Sequence, residues 1–214
     1  FQMESSGMTG VCVGLKPQNV EDITAIIALY RPGPMDSIPR FIACKHDPKL
    51  IKYRHPSLEP ILSITYGCIV YQEQVMEVFR TVAGYSLGRA DIVRRAMAKK
   101  KHSVLESERH SFIYGDDDCD GALKRGVSEK AANAIFDEML SFASYAFNKS
   151  HAAAYAHVAF QTAYLKCHFE KEYMASLLTS VLSNEEKVAK YSSECNTLGI
   201  AVLPPSINES LHYF

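Results

Sequence analysis

The chain has 214 residues, of which 47% are hydrophobic and 22% are charged, as expected for an ordinary globular protein. Its 23 Lys and Arg residues nearly balance its 24 Asp and Glu residues, which leaves a formal net charge of −1. This balance argues against a generally basic nucleic-acid-binding protein, so any phosphate site must arise from a local cluster of charge.

Helical periodicity dominates the sequence, and alternating strand-like patterns are scarce. The predicted helices cover residues 19–28, 36–44, 72–82, 87–98, 104–114, 128–141, 150–168, 171–182 and 184–198. Only "CIVY" (68–71) and "IAVL" (200–203) have the composition of short strands. The sequence therefore predicts a mainly α fold, a compact multi-helix domain with one or two very short strands.

Several helix ends carry recognisable start or stop signals. Asn19 can cap the first helix, with Glu21 and Asp22 favourably placed in its first turn. The stretch "RPGP" (31–34) ends that helix because proline lacks an N–H donor, and Gly84 is a good stop signal further on. Since no repeat or flexible linker interrupts the pattern, we expect one continuous helical domain.

The six cysteines are dispersed without a C-x-x-C pair, which argues against a zinc ribbon and against a compact disulfide framework. No apolar segment reaches the roughly 18 residues of a membrane span, and no signal sequence is recognisable at the start. We therefore expect reduced thiols and a cytoplasmic location. The opening "FQMESSGM" (1–8) resembles the interior of a chain, so we expect a piece of a longer protein.

The segment "GRADIVRRAMAKKK" (88–101) is strongly basic within a nearly neutral chain. Its single acidic residue is Asp91, and its basic residues are Arg89, Arg94, Arg95, Lys99, Lys100 and Lys101. On a helix Arg95 and Lys99 lie one turn apart on one face, while apolar side chains lie on another. Such a ridge suits phosphate, whose oxygens match the guanidinium fork, although a charged face in contact with solvent fits the same spacing.

The segment "SYAFNKSHAAAYA" (144–156) places positive charge where a helix begins, which is disfavoured by about 0.3–1 kcal/mol. Asn148 or Ser150 can cap this helix, so that Lys149 and the first N–H groups form an anion site beside His151. The alternative is a capped helix with a solvated lysine and a histidine satisfied in the core. The residue types alone leave both interpretations open.

A third stretch, "DDDCDG" (116–121), matches the first half of a calcium-binding loop. The second half fails, because Val127 stands where the bidentate glutamate is required and Lys124 occupies the ninth position. An acidic surface turn is the better interpretation. Hydrolase and P-loop motifs are absent from the sequence.

Five collinear stretches resemble the C family of DNA polymerases, the bacterial DNA polymerase III α subunits. They are "ALYRPGPMDSIPRFI", "TYGCIVYQEQVM", "AGYSLGRADIVRRAMAKKK", "FNKSHAAAYAHVAFQTAYLKCHF" and "LPPSINES". The resemblance implies that residues 1–16 end a palm-side segment and that residues 17–214 form a helical fingers domain. In this family palm aspartates hold two Mg²⁺ ions for nucleotidyl transfer, and those aspartates precede this segment. We therefore expect no catalytic or metal-binding residues here, and no polymerisation by this chain alone.

The resemblance also implies roles for individual residues. Arg94 and Arg95 match arginines that face the triphosphate of the incoming dNTP, and Lys99, Lys100 and Lys101 continue that motif as phosphate or DNA contacts. Asn148 and Lys149 match a second motif, in which Lys149 neutralises phosphate charge. His151 is expected near the sugar, where it would exclude a ribose 2′-hydroxyl, and Tyr145 is expected near the nascent base pair. Arg31 matches a further motif and is expected to contact phosphate or DNA, although a turn that ends a helix explains "RPGP" equally well.

The expected partners are dNTP and primer-template DNA, the palm and thumb of the same polypeptide, and the sliding clamp and other replisome subunits through other parts of it. The sequence departs from the family pattern at Ser144 and Ala146, where glycines are common, and at Glu170, where proline is frequent. The glycine replacements restrict the backbone around Tyr145. The competing hypothesis is a non-catalytic helical module that binds nucleic-acid backbone or another protein.

Overall fold

The computed structural model of the chain describes residues 1–99, 102–143 and 145–214. These residues form eleven α-helices: α1 (Ser6–Leu15), α2 (Val20–Leu29), α3 (Ile38–His46), α4 (Glu59–Leu62), α5 (Gln72–Ala83), α6 (Leu87–Ala98), α7 (His102–Tyr114), α8 (Glu129–Ala143), α9 (Lys149–His168), α10 (Glu170–Ser180) and α11 (Glu185–Thr197). Short 3-10 helices cover Pro34–Ser37, Pro48–Leu50, Pro56–Leu58 and Ser63–Thr65. The predicted mainly α fold is confirmed.

The start and stop signals act as predicted. Asn19 caps α2 by accepting a hydrogen bond from the Asp22 amide at 2.9 Å. Gly84 ends α5 in the left-handed conformation, at φ 76°. Asn184 caps α11 by accepting from the Lys187 amide. These ends are local in origin, which is why the sequence locates them to within a few residues.

Helix α1 and the segment 200–203 differ from the prediction. Helix α1 was not predicted because its three glycines weaken the helical pattern, yet Ser5 caps it and its Met8 and Leu15 are buried. The "IAVL" segment is not a strand: among the described residues no segment pairs with it, and the Ile200 amide instead donates to the Cys195 carbonyl at the end of α11. The "CIVY" segment contributes only an isolated parallel bridge, between Tyr71 and Phe147.

The chain divides into two compact units, residues 1–157 and residues 158–214. In the second unit, Met174 and Leu178 of α10 pack against Cys195 of α11. Helix α10 begins at Glu170, a first helical position where proline is also well tolerated, so the departure at Glu170 is compatible with the fold. The predicted boundary after residue 16 and the single continuous fingers domain stay predictions.

The first unit has two hydrophobic cores. One is shared by α5, α6, α7 and α8 and is centred on Phe79, whose ring meets those of Phe112 and Phe136 edge to face, with centroids 5.3 and 6.1 Å away. The other is formed by α1, α2, α3 and the residues around Tyr71, and Ala152 and Ala156 of α9 are buried in it. The small side chains near the start of α9 therefore serve close helix packing.

A buried ion pair joins α2 to α3 within this second core. The Asp22 carboxylate is 2% exposed and accepts from Lys45 Nζ at 2.5 Å, from the Tyr66 hydroxyl at 2.6 Å and from the Gln18 amide at 2.8 Å. Such a network fixes the first turn of α2, because a buried carboxylate needs all of its hydrogen-bond partners. Glu21, the preceding residue on α2, is thereby held in place.

None of the helices in the described part of the chain combines the length and the apolar composition needed to cross a membrane.

Asp22→Asn removes the charge that compensates Lys45 in the core. An ammonium group left buried without its carboxylate costs about 3–5 kcal/mol, so we expect urea denaturation near neutral pH to show a loss of that size in the free energy of unfolding. Glu77, which pairs with Arg80 on the surface of α5, offers a matched control. Glu77→Gln removes one exposed carboxylate and should cost less than about 1 kcal/mol.

The effect of Asp22 also depends on pH. Burial alone would raise the pKa of Asp22, but the hydrogen bonds from Gln18, Lys45 and Tyr66 outweigh it and lower the pKa below its ordinary value. The ionised carboxylate therefore stabilises the fold above the unfolded pKa of about 3.9, and this stabilisation disappears as the pH falls through the folded pKa. The difference in the free energy of unfolding between wild type and Asp22→Asn should become smaller below about pH 4. If that difference instead became smaller as the pH rises toward neutrality, the lowered pKa of Asp22 would be contradicted.

Candidate functional site

The start of α9 is placed by backbone pairing with the segment before α5. The Gln72 amide donates to the Phe147 carbonyl at 2.9 Å, and the Phe147 amide donates to the Val70 carbonyl at 3.2 Å. The Gln72 side chain adds a bond to the Ala146 carbonyl at 3.0 Å. These bonds place the first turns of α5 and α9 side by side.

The first turn of α9 is capped as predicted, and its positive charge is already compensated. The Asn148 side chain accepts from the His151 amide at 2.9 Å. The Lys149 amide lies 3.1 Å from both carboxylate oxygens of Glu73, and Lys149 Nζ lies 3.0 Å from Glu21. The negative charge that this helix start requires is therefore supplied within the chain, by the first turns of α5 and α2.

A buried phenol lies behind this pair of carboxylates. Tyr71 is fully buried, and among the described residues its hydroxyl is a buried side-chain polar atom without a hydrogen-bond partner. Lys149 Nζ lies 5.5 Å from the centroid of the Tyr71 ring. Burial, with a smaller contribution from Glu21 and Glu73, raises the pKa of Tyr71, so the phenol stays neutral. The unpaired hydroxyl is a polar group for which this conformation provides no partner.

His151 and Tyr145 are exposed on either side of this helix start. The His151 ring lies between Phe147 and Tyr155, with ring centroids 5.4 and 4.6 Å away. Since His151 is exposed, the alternative of a histidine satisfied in the core is wrong. The Tyr145 ring is 44% exposed and packs over Gly33. Both side chains are therefore accessible to a ligand.

The departure from glycine at position 146 does not strain the backbone. Among the described residues, the non-glycine positions with positive φ are Gln2, Lys16 and Tyr66, so Ala146 has an ordinary negative φ. Its methyl group is buried against the core of α5 to α8. Ser144, the other departure, lies outside the described residues.

Arg31 belongs to the same group through contacts with the segment that precedes α9. Its guanidinium donates to the carbonyls of Ala28 and Tyr145 and lies 4.4 Å over the Phe147 ring. Arg31, Tyr145, Asn148, Lys149 and His151 are thus brought together.

The arginines of α6 form a separate group. Arg94 and Arg95 both pair with Asp91 on the same helix. Their hydrogen bonds lower the pKa of the Asp91 carboxyl, and the bond from Arg94 has the larger effect. The Arg94 side chain is 15% exposed and that of Arg95 is 66% exposed, so Arg95 is the more accessible. Within the described part of the chain, no hydrogen bond, ion pair or ring contact joins Arg94 or Arg95 to the start of α9.

The remaining basic residues have different surroundings. Lys99 is exposed just beyond the end of α6, and Lys100 and Lys101 lie outside the described residues. Arg89 is not available to a ligand, because its guanidinium binds Asp116 at 2.6 and 2.8 Å and Glu108 at 3.1 Å. Part of the basic excess therefore serves the fold.

The acidic stretch 116–121 forms a surface turn, as predicted. The hydrogen bonds from Arg89 are the main cause of the lowered pKa of Asp116. Asp120 pairs with Lys124 and Arg125. Within the ranges that the structure describes, no three His, Cys, Asp or Glu side chains are grouped so that they could hold a metal ion. These carboxylates are compensated by basic side chains, which leaves them poorly suited to a cation.

Glu21, Glu73, Tyr71 and Gly33 were not identified as site residues from the sequence. Glu21 and Glu73 each lie in the first turn of their own helix, where an acidic residue is favourable for local reasons. No residue near Lys149 in the sequence compensates its charge. Its partners Glu73 and Glu21 lie 76 and 128 residues away in the sequence. Only the folded chain connects them.

Glu73→Ala should destabilise the fold, because the Lys149 amide loses its acceptor and the start of α9 loses a compensating charge. We expect the free energy of unfolding in urea to fall by about 0.5–2 kcal/mol, as for the loss of a helix cap. Glu73→Gln retains one acceptor oxygen and should show a smaller loss. Glu77→Ala, one turn further along α5 and exposed, is the control; equal effects at residues 73 and 77 would contradict the capping role.

Comparison with known proteins agrees with the motifs. A family model described as the bacterial DNA polymerase III alpha subunit finger domain matches residues 1–118. Over all of its length the chain is 47% identical to DNA polymerase III subunit alpha of Staphylococcus aureus (strain N315), of which it spans 19%. Over 210 residues, 98% of the chain, it is 49% identical to DNA polymerase III subunit alpha of Bacillus subtilis (strain 168), of which it spans 18%.

The chain thus spans about a fifth of the length of these relatives. The family model covers more than half of the chain, and the similarity to both relatives extends through the α9 motif. The chain belongs to the family of bacterial DNA polymerase III alpha subunit finger domains.

Proposed function

We propose that this chain is the part of a replicative DNA-directed DNA polymerase that binds the incoming dNTP and the DNA near the nascent base pair. The observation that supports this most is the start of α9, where Asn148, Lys149, His151 and Tyr145 are grouped on one accessible segment. Membership of the finger-domain family, together with the similarity to polymerase subunits over the α9 motif, supports a nucleoside triphosphate as the ligand of this basic group.

Under this proposal the triphosphate replaces the carboxylates that are paired with the basic side chains in the free protein. The pair of Lys149 with Glu21 is partly exposed, as is the pair of Arg95 with Asp91, and such pairs contribute no more than about 1 kcal/mol. A triphosphate carries several negative charges and more acceptor oxygens than a carboxylate, so it can displace them. The carboxylates keep the basic groups in position before the nucleotide arrives.

The roles proposed for the other residues follow from the family resemblance. Lys99, together with Lys100 and Lys101, is proposed to contact phosphate or DNA backbone. His151 is proposed to lie beside the sugar and Tyr145 beside the base pair. The proposed partners beyond this chain are primer-template DNA, the palm and thumb of the same polypeptide, and the sliding clamp and other replisome subunits through other parts of it.

Magnesium chemistry is assigned to another part of the polypeptide. Asp91, Asp116 and Asp120 are each paired with basic side chains and do not fit a two-metal site. Two Mg²⁺ ions held by the palm would activate the primer hydroxyl and stabilise the leaving phosphates. We therefore expect no nucleotidyl transfer by this chain alone.

Arg94→Ala and Arg95→Ala test the triphosphate contact in a full-length α subunit that carries this segment. Loss of a charged hydrogen bond to phosphate should reduce kcat/KM for dNTP by the equivalent of about 1.5–3 kcal/mol, measured by steady-state primer extension. Arg80→Ala, which removes an exposed arginine from α5, is the matched control and should leave kcat/KM unchanged. Wild-type kinetics in both Arg94→Ala and Arg95→Ala would contradict the assignment.

His151→Ala tests sugar selection in the same enzyme. Without the imidazole the space beside the sugar opens, so incorporation of ribonucleotides relative to deoxyribonucleotides should increase, measured by competition between ATP and dATP opposite template T. His157→Ala, at an exposed histidine in the middle of α9, is the control. Equal discrimination by His151→Ala and wild type would refute the role.

A further inference from the structure

The turn that follows α2 contacts the segment that leads into α9. Arg31 Nε donates to the Ala28 carbonyl at 2.9 Å, and Arg31 Nη2 donates to the Tyr145 carbonyl, which is 114 residues away in the sequence. The guanidinium also stacks 4.4 Å above the Phe147 ring. Arg31 thus connects the end of α2 to both residues that flank Ala146.

The acceptors of Arg31 are carbonyl oxygens, and within the described residues the guanidinium forms no ion pair with a carboxylate. The side chain is half-buried, and this burial lowers the pKa of the guanidinium. The Nε and Nη2 edge of the guanidinium is already bonded to two carbonyls, so a phosphate could bind that edge side-on only by displacing them. The geometry therefore favours a role in placing residues 145–147 over the phosphate contact expected from the sequence.

Gly33 supports the same segment from the other side of the turn. It has a φ of 101°, which an L side chain rarely adopts. A Cβ atom at Gly33 would lie 2.6 Å from Cδ1 and Cε1 of Tyr145. The Tyr145 ring can therefore rest on the turn only because residue 33 has no side chain.

We propose that Arg31 and Gly33 are positioning residues that hold Tyr145 and Phe147 and thereby set where the nucleotide-binding start of α9 lies. Phe147 links these two residues to α9, because its carbonyl accepts from the Gln72 amide and its ring contacts the ring of His151. The inference rests on the proposed function, since it assigns a role in nucleotide use to residues that touch the α9 segment.

Arg31→Lys separates positioning from phosphate binding. A lysine retains the charge but lacks the planar fork that bonds two carbonyls while stacking on a ring. If Arg31 positions residues 145–147, Arg31→Lys and Arg31→Ala lose similar activity in a full-length α subunit. A misplacement of about 1 Å at a reacting group lowers kcat/KM on the order of tenfold to a hundredfold. Gly33→Ala should show a comparable loss.

One control variant and one further readout belong to this comparison. Arg40→Lys changes an exposed arginine that pairs with Glu138 and should retain wild-type kinetics. The ratio of ribonucleotide to deoxyribonucleotide incorporation reports on His151, so it should change in Arg31→Lys if the placement of α9 changes. A substitution that merely lowers stability would leave that ratio as in wild type.

Hydrogen exchange measured by mass spectrometry gives a readout that does not depend on nucleotide binding. Arg31→Lys should speed exchange in a peptide covering residues 142–152 of the full-length protein and leave a peptide covering residues 170–180 unchanged. Wild-type exchange in the first peptide, or wild-type activity in Arg31→Lys, would overturn the positioning role. If Arg94→Ala and Arg95→Ala were also without kinetic effect while exchange at 142–152 increased, the proposed function would be the part that fails.

Discussion

The candidate site depends on a short backbone pairing between residues 70–72 and 146–147. Two amide-to-carbonyl bonds and one bond from the Gln72 side chain join segments that are far apart in the sequence. Because both segments lead directly into helices, this pairing aligns the first turns of α5 and α9. Glu73 can then cap the Lys149 amide, and Tyr71 is buried beneath the lysine side chain. Without the pairing, the first turns of α5 and α9 would lose the backbone bonds that align them.

The electrostatics of the site follow from this alignment. A helix start with a lysine in its first turn needs negative charge, and α2 and α5 provide it through Glu21 and Glu73. The buried pair of Asp22 and Lys45 holds the α2 end of this arrangement, next to Glu21. The carboxylates order the basic groups by weak, exposed contacts, which a more highly charged ligand can replace. The same side chains therefore stabilise the free protein and define the proposed site for phosphate.

The elements with local causes were predicted well from the sequence. Asn19 begins a helix and Gly84 ends one through contacts with residues a few positions away, so their local patterns suffice. The sequence missed α1, whose glycine-rich segment is helical because its Met8 and Leu15 are buried in the core. It also assigned a strand to 200–203, where the composition suits a strand but no segment in the described part of the chain pairs with it. In both cases tertiary packing overrode the local preference.

By itself the sequence determined the mainly α fold, a cap for α9 at either Asn148 or Ser150, the family and the residues that carry its motifs. These depend on periodicity, on short-range hydrogen bonding and on the order of residues along the chain. Only the tertiary structure decided which distant polar groups meet: Lys149 with Glu21 and Glu73, Arg89 with Asp116, and Arg31 with the carbonyl of Tyr145. Such pairs form between segments distant in sequence. Their partners are set by the packing of the two cores, a long-range property that no local pattern records.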